Sequence, residues 1–347
     1  MLKQIMEKQP KVIGNTSTNK ECDLQIAIWV SWQSHTRTRN IASHIGVPLE
    51  EIVTTNRTGL RRYIYLGTRT IGTLSSLRPK VLIVQNPSIV LTGLSLMLRW
   101  VFRYRLVVDA HNEAVEPYLH NSKVVLWLSR LYMKQADLTI VTNHALAEII
   151  RKEGGRPIVL PDKVPEYKAS ISHSHRVSDK LHIVLVSTFA KDEPIREFLE
   201  AAGGYEDQIS VSVTGCAEKW SDEVKGESWS NVRFTGFLEE KEYWGLLESA
   251  DAVADLTRMD NCLVCGAYEG IAVGKPLILS DNEATRAHFR IGVLYVDNGV
   301  PDIRRALKTL LEKRAELQQQ SMKLRDELRA SWLVGAEQLV LALRSLA

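Results

Sequence analysis

The sequence predicts an α/β protein of two doubly wound domains, each a parallel sheet with helices on both faces, facing one another across a cleft. Three observations carry this. Short runs rich in β-branched residues alternate with segments of helical apolar spacing along nearly the whole chain. The alternation stops once, over residues 161–180 (PDKVPEYKASISHSHRVSDK), and then restarts. The chain's 347 residues are enough for two domains that each bury a core.

In chain order, the first half places strands at residues 25–32 (QIAIWVSW), 81–84 (VLIV), 106–108 (LVV), 138–141 (LTIV) and 157–160 (PIVL). Helical patterns lie between them, such as residues 144–153 (HALAEIIRKE), where Thr142 or Asn143 is placed to act as N-cap. The most apolar stretch, residues 89–102, contains Arg99 and falls short of the roughly 20 apolar residues a membrane span needs, so it reads as an amphipathic or buried helix. Residues 161–180 hold Pro161, Pro165 and many small polar side chains without an apolar period, which is the composition of an interdomain linker. Beyond it, strands are expected at 181–186, 209–213, 232–234, 252–255, 276–279 and 293–296, and the chain is helical from about residue 303. The expected organisation is a polar leader (1–20), a first domain (21–165), a linker (166–180), a second domain (181–325) and a C-terminal helix (326–347) returning toward the first domain.

Composition narrows the class. A hydrophobic fraction of 45% with 24% charged residues excludes a disordered chain, a collagen-like fibre and a multi-span membrane protein. Four cysteines in this length make no disulfide framework and point to a reducing, cytoplasmic setting. The first twenty residues lack the apolar core of a signal peptide. The 44 Lys and Arg nearly balance 41 Asp and Glu, but unevenly: residues 1–165 hold 22 basic and 12 acidic side chains, and residues 166–347 hold 22 and 29.

In open parallel sheets, ligands bind beyond the carboxyl ends of the strands. Those ends carry Ser34-His35, Gln85-Asn86, Asp109-Ala110-His111-Asn112 and Thr142-Asn143 in the first half. In the second they carry Ser187-Thr188-Phe189, Thr214-Gly215, Thr235-Gly236 and Thr257-Arg258. No G-x-G-x-x-G follows a strand, and no Walker-type phosphate loop, H-E-x-x-H or G-x-S-x-G occurs. Cys262 and Cys265 form a lone C-x-x-C, which reads better as two small buried residues opening a helix than as a zinc or redox site.

The informative region runs from residue 231 to 289. It holds Gly236-Phe237-Leu238 at a strand end, Ala250-Asp251 closing a helix, Glu269 on the next helix and Gly274-Lys275-Pro276 after it. This resembles the donor-binding half of GT-B glycosyltransferases like those of family 4. The resemblance implies two Rossmann-like domains, a nucleotide-diphosphate sugar as donor substrate with no further cofactor, and transfer to a glycan or lipid-linked acceptor in surface-polysaccharide or glycoconjugate synthesis. The residues agree with it. A helix opening at Cys265 and Gly266 offers free N–H groups to a diphosphate, Gly266 lets the phosphate approach, and Glu269 can accept hydrogen bonds from ribose hydroxyls. The sequence departs from the family twice. Relatives carry Glu-x7-Glu, with the first Glu on the transferred sugar, where this chain has Asn261 beside Asp260. The first turn of the donor domain, where relatives place Arg and Lys-Gly, has Ser187, Thr188 and Lys191.

The first half resembles the acceptor domain more loosely, through VQNPS and VVDAHN. There His111 is the expected group for binding the reacting sugar or relaying a proton, with Asp109 or Glu113 as general base if the reaction inverts configuration. His35, Arg37, Arg39, Asn86 and Asn112 are the expected acceptor contacts, the two arginines suiting phosphate oxygens as guanidinium forks. No Asp-x-Asp follows the relevant strands, so no metal is expected. The run Arg99-Trp100-Val101-Phe102-Arg103-Tyr104-Arg105 interleaves aromatic and cationic side chains and predicts peripheral attachment to an anionic membrane surface rather than to nucleic acid. Two other readings stay open: a GT-B protein that binds a nucleotide sugar or glycan without turnover, and a nucleotide-sugar epimerase.

Overall fold

The computed structural model describes residues 27–86, 88–116, 123–167, 180–220 and 229–347. The polar leader and most of the expected linker lie outside them. Two six-stranded, wholly parallel sheets account for the twelve strands among the described residues. The first is built from β1 (Ala27–Ser31), β2 (Leu49–Glu51), β3 (Val81–Asn86), β4 (Arg105–Ala110), β5 (Leu138–Val141) and β6 (Pro157–Val159), in the order β2-β1-β3-β4-β5-β6. The second comprises β7 (Leu181–Leu185), β8 (Ile209–Thr214), β9 (Val232–Gly236), β10 (Ala252–Asp255), β11 (Leu277–Ser280) and β12 (Val293–Val296), in the order β12-β11-β10-β7-β8-β9. The sequence missed β2: its Leu-Glu-Glu is a short, half-buried edge strand without a β-branched run.

Helices in the first half are α1 (Thr36–Ile45), α2 (Gly59–Leu77), α3 (Ile89–Phe102), α4 (Asn112–Val115), α5 (Lys123–Gln135) and α6 (His144–Lys152). In the second half they are α7 (Ile195–Ala202), α8 (Glu240–Ser249), α9 (Cys265–Ala272), α10 (Glu283–His288) and α11 (Val300–Leu346). Strands such as β1 and β3 are buried along their whole length because helices cover both faces, so their apolar runs are continuous and not alternating. The pleat still sorts the side chains. Leu82 and Val84 pack with Leu66, Leu74, Leu91 and Met133 of α2, α3 and α5, whereas Val81 and Ile83 pack with Ile41 of α1 and with Trp332 and Leu339 of α11.

The long helix α11 therefore serves both sheets. Its start buries Ile303, Leu307 and Leu310 with Phe198 and Leu199 of α7, its middle buries Leu324 and Leu328 near α9, and its end enters the first core. Lys313, at φ −121° and ψ 15°, marks a kink between the first part and the rest. Trp332 is fixed by its indole N–H, which donates to the Pro161 carbonyl at 3.0 Å. Among the described residues, no helix is long and apolar enough to cross a membrane.

Both sheets reverse their strand order once, between β1 and β3 and between β7 and β10. A crevice opens beyond the carboxyl ends of the strands at such a point, and a ligand site is expected there.

Candidate functional site

At the first reversal, charge is buried and compensated. The Arg37 guanidinium, 2% exposed, bonds Asp109 at 3.2 Å and Asp162 at 2.5 Å, and donates to the Leu160 carbonyl at 2.8 Å. This overturns two sequence expectations. Arg37 has no fork left for an acceptor phosphate, because its charge neutralises two carboxylates. Asp109 has 0% side-chain exposure and cannot meet a substrate proton. Burial alone would raise its carboxyl, but Arg37 and then His111 outweigh burial and hold it at about 2. Arg39 is committed as well, bonded through its fork to both oxygens of Glu51 on the surface. Asn86 also departs from the acceptor role, since its side chain is fully buried and donates to Ser129 at 3.3 Å.

What reaches the crevice is His111. It opens α4 just past β4, is 19% exposed, and has Nε2 3.5 Å from Asp109 Oδ2 and 3.3 Å from Gln85 Nε2. The His35 ring meets it edge-on at 4.5 Å. Burial, and then the neighbouring His111, keep His35 below the usual imidazole range, so it is a neutral wall. Gln85 is itself fixed by Ser31, whose hydroxyl donates to it at 2.5 Å. Glu113 is exposed on the first turn of α4. Asp109 therefore orients His111, while the side chains of His111 and Glu113 reach the surface.

The second reversal is different. Ser187, Thr188 and Phe189 follow β7, and Phe189 takes a left-handed φ of 58°. The loop gathers the backbone N–H groups of Thr188 and Phe189 and the hydroxyls of Ser187 and Thr188, and all four donate to one carboxylate, Glu193, at 2.6–3.1 Å. Such a concave set of donors is an anion-binding nest. Ser187 and Thr188, expected to receive the donor, thus hold a residue of the chain itself. Gly215 backs the loop at φ 89°, where a Cβ would lie 2.3 Å from the Ser187 carbonyl oxygen. Its N–H donates to the Gly236 carbonyl at 3.2 Å, and Phe237 projects beyond, 90% exposed, with Leu238 half-buried beside it. Lys191 is exposed nearby.

Helix α9 opens opposite this loop. Its second residue, Gly266, donates its N–H to Asp255 Oδ2 at 2.8 Å, so that group is not free for a phosphate. A Cβ at Gly266 would sit 2.6 Å from the same oxygen and 2.8 Å from Val186 Cβ. Glycine is needed here for close packing of helix on strand, not only for ligand approach. Burial drives the Asp255 carboxyl well above the ordinary range, the Gly266 N–H opposes this, and Glu193, Glu269 and Asp192 reinforce it. One turn further, Glu269 accepts from the Tyr243 hydroxyl at 2.5 Å. Burial raises Glu269 too, against Tyr243. Cys262 is half-buried and Cys265 exposed, so the pair is not the buried couple the spacing implied. Among the described residues, no three His, Cys, Asp or Glu side chains are grouped to hold a metal ion.

The two crevices meet at residues 260 and 261. Asn112 donates to the Asp260 carbonyl at 3.2 Å, Asn143 to the Asn261 carbonyl at 2.9 Å, and Asn261 to Glu116 Oε2 at 2.9 Å. Asn261 sits at φ 53°, a conformation asparagine tolerates better than glutamate. A glutamate here would also oppose Glu116. The departure from Glu-x7-Glu therefore has a local physical reason. Glu193, Asp255, Tyr243, Asp162 and Glu116 are the site residues that sequence reasoning missed. Only Asp255, at a strand end, carried a signal that could have found it.

The family described as glycosyl transferase-like matches residues 191–336. No curated protein matches the sequence. Among solved structures, Anabaena HepE in complex with UDP-glucose is 14% identical, with 92% of this chain and 100% of that one covered at a TM-score of 0.72. Sucrose-phosphate synthase from Thermosynechococcus elongatus is 17% identical, covering 86% and 81% at 0.70. The α,α-trehalose 6-phosphate synthase of Burkholderia multivorans is 13% identical, covering 89% and 79% at 0.63. The chain therefore has the GT-B fold, and its residues 191–336 are similar to the glycosyl transferase-like family.

Proposed function

We propose that this chain is a metal-independent glycosyltransferase that moves a sugar from a nucleotide-diphosphate donor to a glycan or lipid-linked acceptor. Its setting is surface-polysaccharide or glycoconjugate synthesis at the cytoplasmic membrane face. One observation carries the reading: at the reversal point of the second sheet, α9 opens toward the crevice with Glu269 one turn in, steadied by Tyr243. A carboxylate so placed suits ribose hydroxyls, while the remaining N–H groups of the helix start and Lys191 suit the diphosphate. That HepE is a UDP-glucose complex on the same fold supports a nucleotide-sugar donor. Across the cleft, His111 is the group to bind the reacting sugar or relay a proton, oriented by Asp109 and Gln85. Catalysis then rests on positioning and on stabilising the departing diphosphate.

Glu269→Ala tests this directly. Removing hydrogen bonds to an ionised carboxylate costs about 1.5–3 kcal/mol, so donor affinity falls roughly 10- to 100-fold in calorimetry across a nucleotide-sugar panel. Undiminished affinity and turnover in that variant would sink the assignment. A second reading, binding of a nucleotide sugar or glycan without turnover, is favoured by Asn261, bonded to Glu116, standing where relatives carry the first Glu. Release of nucleoside diphosphate in the presence of acceptor separates the two.

A further inference from the structure

The outer surface of the first domain carries an apolar face that the described residues leave uncovered. Helix α3 packs between α2 and α5, and Gly93 of α3 brings Tyr132 of α5 into direct contact. Each helix buries one stripe on the sheet and turns a second apolar stripe to solvent. On α3 the outer stripe is Met97, Trp100 and Val101, which are 73%, 87% and 70% exposed. On α2, Leu60 and Ile64 are exposed, and on α5, Val124 and Trp127. A contiguous apolar face of this kind on a soluble domain marks an interaction surface.

Charge identifies the partner. The three helices contain seven Lys and Arg residues and no Asp or Glu. A second copy of the chain would set this cationic face against itself, and nucleic acid offers nothing to cover exposed Trp and Met side chains. Beside Trp127 lies a surface pocket of about 330 Å³ between α5 and the end of α6. Lys123, Arg130 and Lys134 line it with Leu126 and Leu131, and Glu153 stands at one side bonded to Arg130 at 3.0 Å. Arg130 Nε is buried without a hydrogen-bond partner. An apolar wall under several cations fits a lipid headgroup phosphate with the start of its acyl chain.

The cations are not all those the sequence run implied. Arg99 and Arg105 are both bonded to Asp137, at 3.0 and 3.3 Å, which leaves α5 to supply the pocket. We propose that the outer face of α2, α3 and α5 docks on a bilayer containing anionic lipids, with an anionic headgroup seated in the α5–α6 pocket. This deepens the peripheral attachment proposed above, and it places the docking residues on a different face from the strand ends that carry His111 and Glu269.

Vesicle flotation of the full chain tests it, with phosphatidylcholine vesicles against vesicles that also carry phosphatidylglycerol. The wild type should float only with the anionic vesicles. At about 1 kcal/mol per interfacial cation, Lys123→Gln with Lys134→Gln should lower partitioning roughly 30-fold. Trp100→Ser with Trp127→Ser should lower it as well, with both pairs keeping wild-type circular dichroism and wild-type transfer to a water-soluble acceptor. Four results would overturn the proposal. These are equal flotation, or none, with the two vesicle types; a dimer in light scattering that the tryptophan variant abolishes; binding of a DNA duplex that requires the same lysines while vesicles stay unbound; or stabilisation by inorganic phosphate through those lysines without vesicle binding. Loss of transfer with intact flotation would instead count against the enzymatic reading alone.

Discussion

The two crevices share a topology and differ in how they hold their carboxylates. Beyond the first sheet, Asp109 is fully buried but lies against a buried arginine, and its carboxyl is held at about 2. Beyond the second sheet, Asp255 is also buried, meets an N–H and three carboxylates instead of a cation, and is driven upward. Burial acts in the same direction on both, so the neighbouring charge decides the outcome. The first arrangement locks a histidine in place. Among the described residues, the second crevice has no buried Lys or Arg, and its anion-binding donors are taken by Glu193.

The strongest way to break this contrast is to remove the buried cation. Arg37→Met leaves Asp109 and Asp162 uncompensated and should cost about 3–5 kcal/mol in chemical denaturation. Adding Asp109→Asn should restore a large part of that loss. A cost of the single variant near that of a surface change would mean that Asp109 is not held by charge. No equivalent change exists in the second crevice, where no arginine is buried among the described residues.

A pH series sharpens the contrast next, because the two aspartates carry opposite signs. Asp109, lowered from 3.8 to about 2, contributes stability above pH 4 that disappears as pH falls toward 2. By the same linkage its full contribution is about 2 kcal/mol. Asp255, raised, contributes fully below its unfolded value, and that contribution is lost as pH rises through its folded value. Asp255→Asn should therefore gain stability relative to the wild type as pH increases. Parallel curves for the two proteins would contradict the upward shift.

The smallest expected effect concerns the nest. Glu193→Gln removes a negative charge while keeping an acceptor for the loop, so a nucleoside diphosphate should bind about tenfold more tightly, a difference of about 1.4 kcal/mol. Unchanged affinity in calorimetry would make Glu193 a fixed part of the loop and move the diphosphate elsewhere.

Much of the fold was legible because parallel strands covered on both faces leave continuous apolar runs, such as VLIV at β3 and LTIV at β5. The start of α9 was legible from Gly236-Phe237-Leu238 and the glycine-rich segment around Glu269. The electrostatics were not. Arg37 and Asp109 are 72 residues apart, and no period or spacing joins them. Asp162 stood in a stretch read as linker, and Arg37 was read together with Arg39 as a fork for an acceptor phosphate. Glu193 was hidden by sign, because a diphosphate site directs attention to cations and glycines rather than to a carboxylate that fills the space.

The path of α11 bears on how the molecule comes to be folded. One face of the first sheet is covered by Trp332, Ala336, Leu339 and Leu343, so residues synthesised after the second domain complete a core whose strands are synthesised before it. During translation, Val81, Ile83 and Val107 remain without this cover until the second domain has left the ribosome. Contacts across some 250 residues carry a high entropic cost of closure, so docking of this part of α11 is expected to be a late and slow step of assembly.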